Sequence, residues 1–600
     1  MAPRRLAVLG VLLLAACASS PKQKSSSAPH PPNVDLVVDA NRDGALDLQG
    51  ITDEAGKNDF TAKAGAVVLA NLDDDDQDGQ PDATESHVAG DADTQDLSPI
   101  AVRAFPSAPN GAVGVLSVDS LGAAHAKLFR VTGSRDLAAD YTLVPDPSHV
   151  SLATGDVRAG EAFAIEATAF VGTTNDGWDG TFHLTYEVDG ATGKPLGIDH
   201  AMLRVAPVLF QWNTAKTERV YYTGDADAQD TSTDSLRDGV KPVCTGGIEE
   251  TPIELGDTDY DQWAQDFFDV AYTSRPGPGG KPIGMKVYTR SPQPDRPAGG
   301  DVLKAVFGPN VATVYLHGPS MANGSGNGYS MSSFGNFDVV PPYDKGSEHY
   351  PLGRNFWGKG PTPADQPDPV YTAFVSAQQV QPEIHIDTTF LLVGHVDEIT
   401  SFVETNTPRG WGLLAAKPAL ARSMLQQMQA AGDGSTQMFV GKEDFDYMSW
   451  DGSGNPRQIN GAVSIDDVLG NADLMAESQK AEVAIDAAVS SLQSEIGLAD
   501  SEITPMPFLF EPVLGSALAY QPGTVNLLHV DGRVVVPEPF GPMINGVDPF
   551  KADAVSRLSA LGLDVFFADD WDTYHIEMGE VHCGTNVSRD LGVKWWESGR

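Results

Sequence analysis

Between residues 33 and 207 the chain alternates apolar and polar positions in short runs. VDLVVDA, GAVVLAN, AKLFRVT, AFAIEATAF, GTFHLTYEV and AMLRVAPVLF follow the two-residue period of strands, with Gly, Asp, Asn and Pro between them. Short strands at that spacing predict a β-sandwich. From about residue 208 the pattern changes: strand-like runs (KVYTR, ATVYLHG, TTFLLVGHV, VNLLHV, DVFFADD) alternate with helical ones. Pro418 to Ala431 carries apolar residues at helical spacing and stops at Gly432. Asp473 to Ile496 sets Leu474, Val483, Ile485 and Val489 roughly on one side and ends at Gly497. This mixture predicts an α/β catalytic domain, with no sequence repeat of fixed period. At 600 residues the chain is too long for one core.

The N-terminus adds a different element. Arg4 and Arg5 precede a short apolar core, Leu6 to Ala16, which is too short to span a bilayer and fits a signal peptide. It ends Leu14-Ala15-Ala16-Cys17, which resembles the bacterial lipoprotein signal, in which the cysteine is lipidated. Residues 18–32 are rich in Ser, Pro and Lys, as a flexible tether is. The expectation is export across the inner membrane of a bacterium, followed by anchoring through Cys17 or release.

Charge narrows the partners. Asp and Glu number 82 against 39 Lys and Arg, a net charge of -43. Phosphate binding needs a basic surface, so nucleic acid is excluded as a partner. Divalent cations and arginine-bearing substrates are favoured instead. The three cysteines, Cys17, Cys244 and Cys583, make no disulfide framework, and a lone cysteine near the C-terminus invites a catalytic reading.

Three segments carry candidate chemistry. Two Asp-rich loops, DANRDGALD from Asp39 and DDDDQDGQPDATE from Asp73, place carboxylates around Gly turns, a density of oxygen ligands that suits Ca²⁺. Asp74 to Glu85 even satisfies the EF-hand spacing, but GAVVLAN before it reads as a strand and Pro81 follows. A calcium loop on a β scaffold, or a solvated acidic turn, fits better. His395 and Asp397 follow TTFLLV; on an extended chain both face one way, a plausible acid/base edge. In GEVHCGTN, small residues follow Cys583, and His582 can bias it toward thiolate. Cysteine with a distant His and Asp meets the requirement for nucleophilic catalysis without naming the electrophile.

GEVHCGTN followed by KWW, together with LVGHVDEITSFV, resembles the peptidylarginine deiminases. DQWAQD, SSFGNFDVVPP, YPLGRNFWG, FVSAQQVQ and PFGPMINGV agree in order, and the resemblance runs from about Val34 to Arg600. It implies an α+β multidomain chain: an Ig-like calcium-binding β-sandwich over 33–207, then a five-bladed α/β-propeller (pentein) catalytic domain over 208–600. The family's N-terminal cupredoxin-like domain has no counterpart ahead of residue 33, where signal and tether stand. The implied reaction is calcium-dependent hydrolysis of protein or peptide arginine to citrulline and ammonia through a thiouronium adduct. Cys583 matches the nucleophile, His395 the general acid/base, and Asp266 and Asp397 the guanidinium-binding carboxylates. Trp263 matches the aromatic along the substrate stem, with Gln262 beside it. Arg296 is the nearest candidate for the arginine that binds peptide backbone, whereas Glu577 replaces another arginine of the substrate mouth.

The resemblance also implies several calcium ions. Gln265, Asp269 and Asp338, with the backbone of Phe334 and Phe337, match one site under the cleft. A second site is expected to be lost, because Phe267 stands where a carboxylate follows Asp266 and an arginine and a proline interrupt the segment from Arg290 to Asp295. Asn71, Asp73, Asp75, Asp82, Asp93 and Asp96 are the ligands expected in the N-terminal loops. Two rivals share the catalytic set: a deiminase of free arginine or another small guanidine, and a Cys-His-Asp amidase or peptidase. A third is a non-enzymatic calcium-binding surface lipoprotein. Oligomeric state has no signature in the sequence.

Overall fold

The computed structural model describes residues 33–598 except 225–233, 255–260, 294–295, 317–326 and 451–455. The signal segment, the tether and Cys17 therefore lie outside the described residues. No helix among the described residues is long and apolar enough to cross a membrane.

The N-terminal strands form two five-stranded sheets. One runs in the order Leu36–Val38, Ser98–Val102, Glu161–Ala167, Ala126–Val131, Tyr141–Leu143; the other in the order Ala66–Val68, Pro195–Val205, Thr181–Asp189, Val113–Val118, Val150–Leu152. Leu36, Ile100, Phe163 and Leu128 of the first share a core with Val68, Leu203, Phe182 and Leu116 of the second. Alternation along Thr181–Asp189 is strict, with Phe182, Leu184, Tyr186 and Val188 buried.

The remainder repeats one connection five times. Two antiparallel strands are followed by helix and then a strand parallel to the second, the crossover that parallel pairing requires. The pairs and their third strands are Phe268–Pro276 and Pro282–Arg290 with Val311–Tyr315; Phe337–Val340 and Arg354–Gly358 with Ile384–Ile386; Thr400–Glu404 and Trp411–Ala416 with Ile503–Met506; and Leu528–Val530 and Arg533–Pro537 with Asp564–Ala568. In the fifth, Thr585–Asp590 pairs with Lys216–Gly224, which precedes the other four modules, and Glu249–Glu254 completes the sheet. The repeat is one of topology, since the sequences of the five modules share no period.

Two expectations change. TTFLLVGHV is not a strand: after Ile384–Ile386 the chain turns, and Gly394 (φ 90°) delivers His395 to the start of a 3₁₀ turn over Val396–Glu398. Glu398 accepts from the amides of Gly394 and His395 at 2.8 and 2.7 Å, which favours the turn over an extended chain. The helix Ala472–Ile496 ends at Gly497 in the left-handed region, as expected, but Val483 is 63% exposed. Leu474, Ser478, Ala481, Ile485, Ala488, Leu492 and Ile496 make the buried stripe, from which Val483 is rotated.

Buried amides fasten the two halves. In SAQQVQ, Gln378 accepts from Val208 N and donates to Val171 O and Phe374 O. Gln381 accepts from Phe210 N at 2.9 Å and donates to Phe210 O and Leu352 O at 3.0 and 2.8 Å. At the chain end, Trp595 Nε1 donates to Ser274 O, its ring stacks on Phe60, and Arg42 donates to Trp596 O. Gln378, which crosses between the halves, is the test: Gln378→Leu keeps the volume but strands the Val208 amide and the Val171 carbonyl, at about 1–3 kcal/mol per buried group. Its urea midpoint should fall correspondingly; a midpoint equal to wild type would show that the clamp does not hold the halves.

Candidate active site

The candidate residues come from equivalent places in the five modules, the turns that lead into the first strands. Asp266 lies in the helical turn Ala264–Phe267 before Phe268, and Gly335 in the 3₁₀ turn Phe334–Asn336 before Phe337. Asp397 lies in the turn Val396–Glu398 before Thr400. Asn526 precedes Leu528, and Cys583 precedes Thr585. Neighbouring turns bond to one another. Gln265 N donates to Cys583 O at 3.0 Å, and Asn526 Nδ2 donates to Asp397 O at 3.2 Å.

Cys583 is buried, with Sγ 3.8 Å from Asp397 Oδ2 and 3.4 Å from Asn526 Nδ2. Burial, then the charges of Asp397 and Asp266, push its thiol well above the usual cysteine range. Asn526, which the sequence reading missed, joins both halves of the site: its Oδ1 accepts from His582 N at 3.0 Å and Cys583 N at 3.3 Å. Nothing in its local sequence marks it; its topological equivalence to Asp266 and Cys583 does.

Each carboxylate keeps one oxygen open. Asp397 Oδ2 faces His582 Nδ1 at 2.9 Å, and Asp266 Oδ2 accepts from Arg296 Nη1 at 3.0 Å. Asp397 Oδ1 and Asp266 Oδ1 are buried and have no hydrogen-bond partner among the described residues. Asp266 Oδ1 lies 3.6 Å from His395 Nδ1, whose other ring nitrogen faces Ser330 O at 3.0 Å. Asp397 and the buried surroundings oppose each other at His582, and the carboxylates win, raising its pKa. The structure thus gathers Cys583, His395, Asp266 and Asp397, and what they lack is a buried cation with several N–H donors.

Trp263 stands edge-on to Tyr574 at 5.9 Å, above Gly579, while Gln262 Nε2 donates to Thr573 O. A Cβ on Gly579 would lie 2.2 Å from the Trp263 ring and one on Gly584 2.4 Å from Tyr574, which explains the glycines of GEVHCG. Arg296 is not turned outward: Nε and Nη2 grip Asp261 at 2.8 and 2.7 Å.

The metal candidates divide. Asp73, Asp75 and Asp96, and likewise Asp75, Asp82 and Asp93, bring carboxylate oxygens within 4.8 Å of one another. Burial and mutual repulsion push Asp73 up to about 7 and Asp82 up to about 9, and Asn71 Oδ1 and Asp73 Oδ1 have no hydrogen-bond partner among the described residues. Gln265, Asp269, Phe337 and Asp338 line an enclosed cavity of about 40 Å³ that also meets His582. Burial raises Asp269 to about 7 and Asp338 to about 6. These all-oxygen sets fit a hard divalent cation. Phe334 packs against Phe337 and Tyr371, and its carbonyl accepts from Phe337 N within the 3₁₀ turn. Beside Asp266 the described residues offer an apolar ring and a cation in place of oxygen ligands. Phe267 is fully buried against Ala298 and Leu303, and Arg290 Nη2 donates to the carbonyls of Gln293 and Arg296 at 3.0 and 2.9 Å.

Gly335 sets the spacing between His395 and Asp266, since a Cβ there would lie 2.5 Å from His395 Nδ1 and 2.6 Å from Asp266 Oδ1. Gly335→Ala should therefore cost activity on the order of 10²-fold through misplacement of both groups. Steady-state kinetics with an unchanged melting temperature would establish this; wild-type turnover would show the contact to be slack.

Two family profiles match the chain: Protein-arginine deiminase (PAD) over residues 195–597 and Protein-arginine deiminase (PAD) middle domain over 33–180. Human protein-arginine deiminase type-3 is 30% identical over 550 residues, 89% of this chain and 77% of that protein. Human protein-arginine deiminase type-4 is 30% identical over 581 residues, 94% and 82% respectively. Among solved structures, a C. jejuni agmatine deiminase is similar at 11% identity with a TM-score of 0.35, over 64% of this chain and 97% of that one. Matched over most of its length at this identity, the chain belongs to the protein-arginine deiminase family, hydrolases that act on arginine guanidino groups in proteins.

Proposed function

We propose that this chain deiminates protein or peptide arginine to citrulline in a calcium-dependent reaction, with Cys583 as nucleophile. The observation that supports the mechanism is the pair of open, buried oxygens, Asp266 Oδ1 and Asp397 Oδ1, on two carboxylates whose charges act on the Cys583 sulfur. A guanidinium is planar and permanently charged, and donates in a fork that two carboxylates can share. Its arrival offsets the charges that hold the Cys583 thiol up, so substrate binding itself favours the thiolate. The sulfur attacks the guanidinium carbon, His395 protonates the departing nitrogen, and ammonia leaves. Water, deprotonated by His395, then releases citrulline and the thiolate. A peptidase would need donors for an oxyanion where this site offers carboxylates.

The cleft residues Gln265, Asp269 and Asp338, and the loop residues Asn71, Asp73, Asp75, Asp82, Asp93 and Asp96, would hold calcium. Bound there, Ca²⁺ neutralises crowded carboxylates and stiffens the loops that carry them. The ring of contacts from turn to turn, and the pairing of the last module's strand with the first, support closure of the five modules into a five-bladed propeller. The two packed N-terminal sheets support an Ig-like sandwich. The N-terminal sequence supports export and a lipid anchor at Cys17, which detergent partitioning of wild type against Cys17→Ala tests.

Cys583→Ser should abolish citrulline formation from benzoyl-arginine ethyl ester, because a hydroxyl is not ionised near neutral pH and no strong base serves it. Citrulline at the wild-type rate would end the proposal. Asp397→Asn should lower kcat/KM by about 10²–10⁴-fold through lost charge-assisted bonds and lost orientation. The same change removes the main charge holding the thiol up, so iodoacetamide should alkylate Cys583 faster at fixed pH; slower alkylation would contradict that account.

For calcium, EDTA-stripped protein should be inactive and regain activity on adding Ca²⁺. Asp338→Ala should raise the half-activating concentration strongly and remove one bound ion by isothermal titration. Paired Asp73→Ala and Asp75→Ala changes should act more mildly, through stability. Full activity of the stripped wild type would refute calcium dependence.

A further inference from the structure

Asp266, one of the two carboxylates assigned to the substrate, is already paired with a guanidinium of the chain itself. Arg296 Nη1 reaches Asp266 Oδ2 at 3.0 Å, and Nε and Nη2 grip both oxygens of Asp261 at 2.8 and 2.7 Å. The remaining contacts of Nη1, Ser333 Oγ at 3.4 Å and Gln293 Oε1 at 3.5 Å, also lie inside the protein. All three nitrogens are thus committed, and the side chain is only 13% exposed. A second buried arginine fixes the loop that delivers it, because Arg290 donates to the carbonyls of Gln293 and Arg296.

An arginine that recognises peptide backbone must keep donors free for a carbonyl. This one would have to leave two carboxylates, and leaving one partner of a buried pair uncompensated is costly. Its geometry suits a different task. By occupying Oδ2, it stops Asp266 from rotating about its terminal torsion and leaves Oδ1 as the oxygen that faces His395 and the incoming cation.

We infer that Arg296 is a positioning residue: it fixes which oxygen of Asp266 meets the substrate guanidinium and makes no contact with the substrate backbone. Recognition then rests on the guanidinium and its aliphatic stem, which makes the arginine side chain, in any chain context, the substrate class. The inference depends on the deiminase reading above.

Two reactions separate the roles. Benzoyl-arginine ethyl ester carries a blocked backbone and a guanidinium. 2-Chloroacetamidine carries an amidinium and no backbone; the Cys583 thiolate displaces its chloride to form a thioether, and chloride leaves with the bonding pair. Arg296→Gln should lower kcat/KM for the ester and the second-order inactivation rate for the amidine by the same factor, on the order of 10²-fold. The loss should fall on kcat and on the limiting inactivation rate rather than on KM alone. Arg296→Lys should recover part of both rates, because an ammonium can pair with Asp266 or Asp261 but cannot fork across them. Asp261→Asn, which loosens the grip while keeping the guanidinium, should lower both rates together by about tenfold or less.

Wild-type inactivation of Arg296→Gln by the amidine, with a raised KM for the ester, would overturn the inference in favour of backbone binding. A faster reaction of Arg296→Gln with either reagent would overturn it too, since Arg296 would then be competing with substrate. A wild-type protein that releases no citrulline overturns the deiminase reading and this inference with it; the preceding results overturn the inference alone.

Discussion

Two carboxylates buried beside a thiol, each one hydrogen-bond donor short of satisfaction, are the constraint around which this protein is organised. A buried charge needs a partner or it takes up a proton. Asp397 has His582 and Asp266 has Arg296, so each carries a partner on one oxygen and an opening on the other. The openings specify the ligand, because a planar cation with several N–H donors satisfies both at once. Burial, reinforced by the same negative charges, holds the Cys583 thiol well above the usual cysteine range.

Holding such groups within a few ångströms requires backbone that approaches closely from several directions. The fold supplies it by repetition. Five modules each end a turn at the same point, and the turns interlock through amide and side-chain bonds, from Cys583 O to Gln265 N and from Asp397 O to Asn526 Nδ2. Glycines at 335, 579 and 584 stand where a Cβ would strike His395, Trp263 or Tyr574. The fifth module takes its first strand, Thr585–Asp590, from long after its second, Lys216–Gly224, and Cys583 lies in the turn that leads into it.

The acidity of the chain follows the same logic on a larger scale. Carboxylates crowd in the loop from Asn71 to Asp96 and around the cavity of Asp269 and Asp338, where burial raises their pKa values and no lysine or arginine balances them fully. Beside Asp266 the chain solves the problem differently. Phe267 places a buried apolar ring there, and Arg290 puts a covalently attached cation among loop carbonyls. One part of the cleft thus crowds carboxylates while its neighbour carries a permanent cation.

How much of this was legible depended on the range of the interaction. Alternation of apolar residues marked Ala126–Val131 and Glu161–Ala167 in one N-terminal sheet and Thr181–Asp189 in the other, but left Ser98–Val102, Val113–Val118, Tyr141–Leu143 and Val150–Leu152 unread, and the glycine at 497 marked a helix end, because period and backbone conformation are local properties. Cys583, His395, Asp266 and Asp397 were legible because each sits in a contiguous motif, although His395 and Asp397 lie on a turn and not on the strand end that TTFLLV suggested. Val483 was misplaced because helical spacing alone does not fix which stripe meets a neighbour. Asn526, the inward grip of Arg296 on Asp261 and Asp266, and the fivefold recurrence of one connection had no signal in the sequence. Each joins residues scores to hundreds of positions apart, or repeats a path without repeating a composition. The sequence by itself determined the motif-borne thiol, imidazole and carboxylates; only the tertiary structure added Asn526 and decided which oxygen, sulfur and nitrogen atoms face each other, since that is fixed by packing between distant segments.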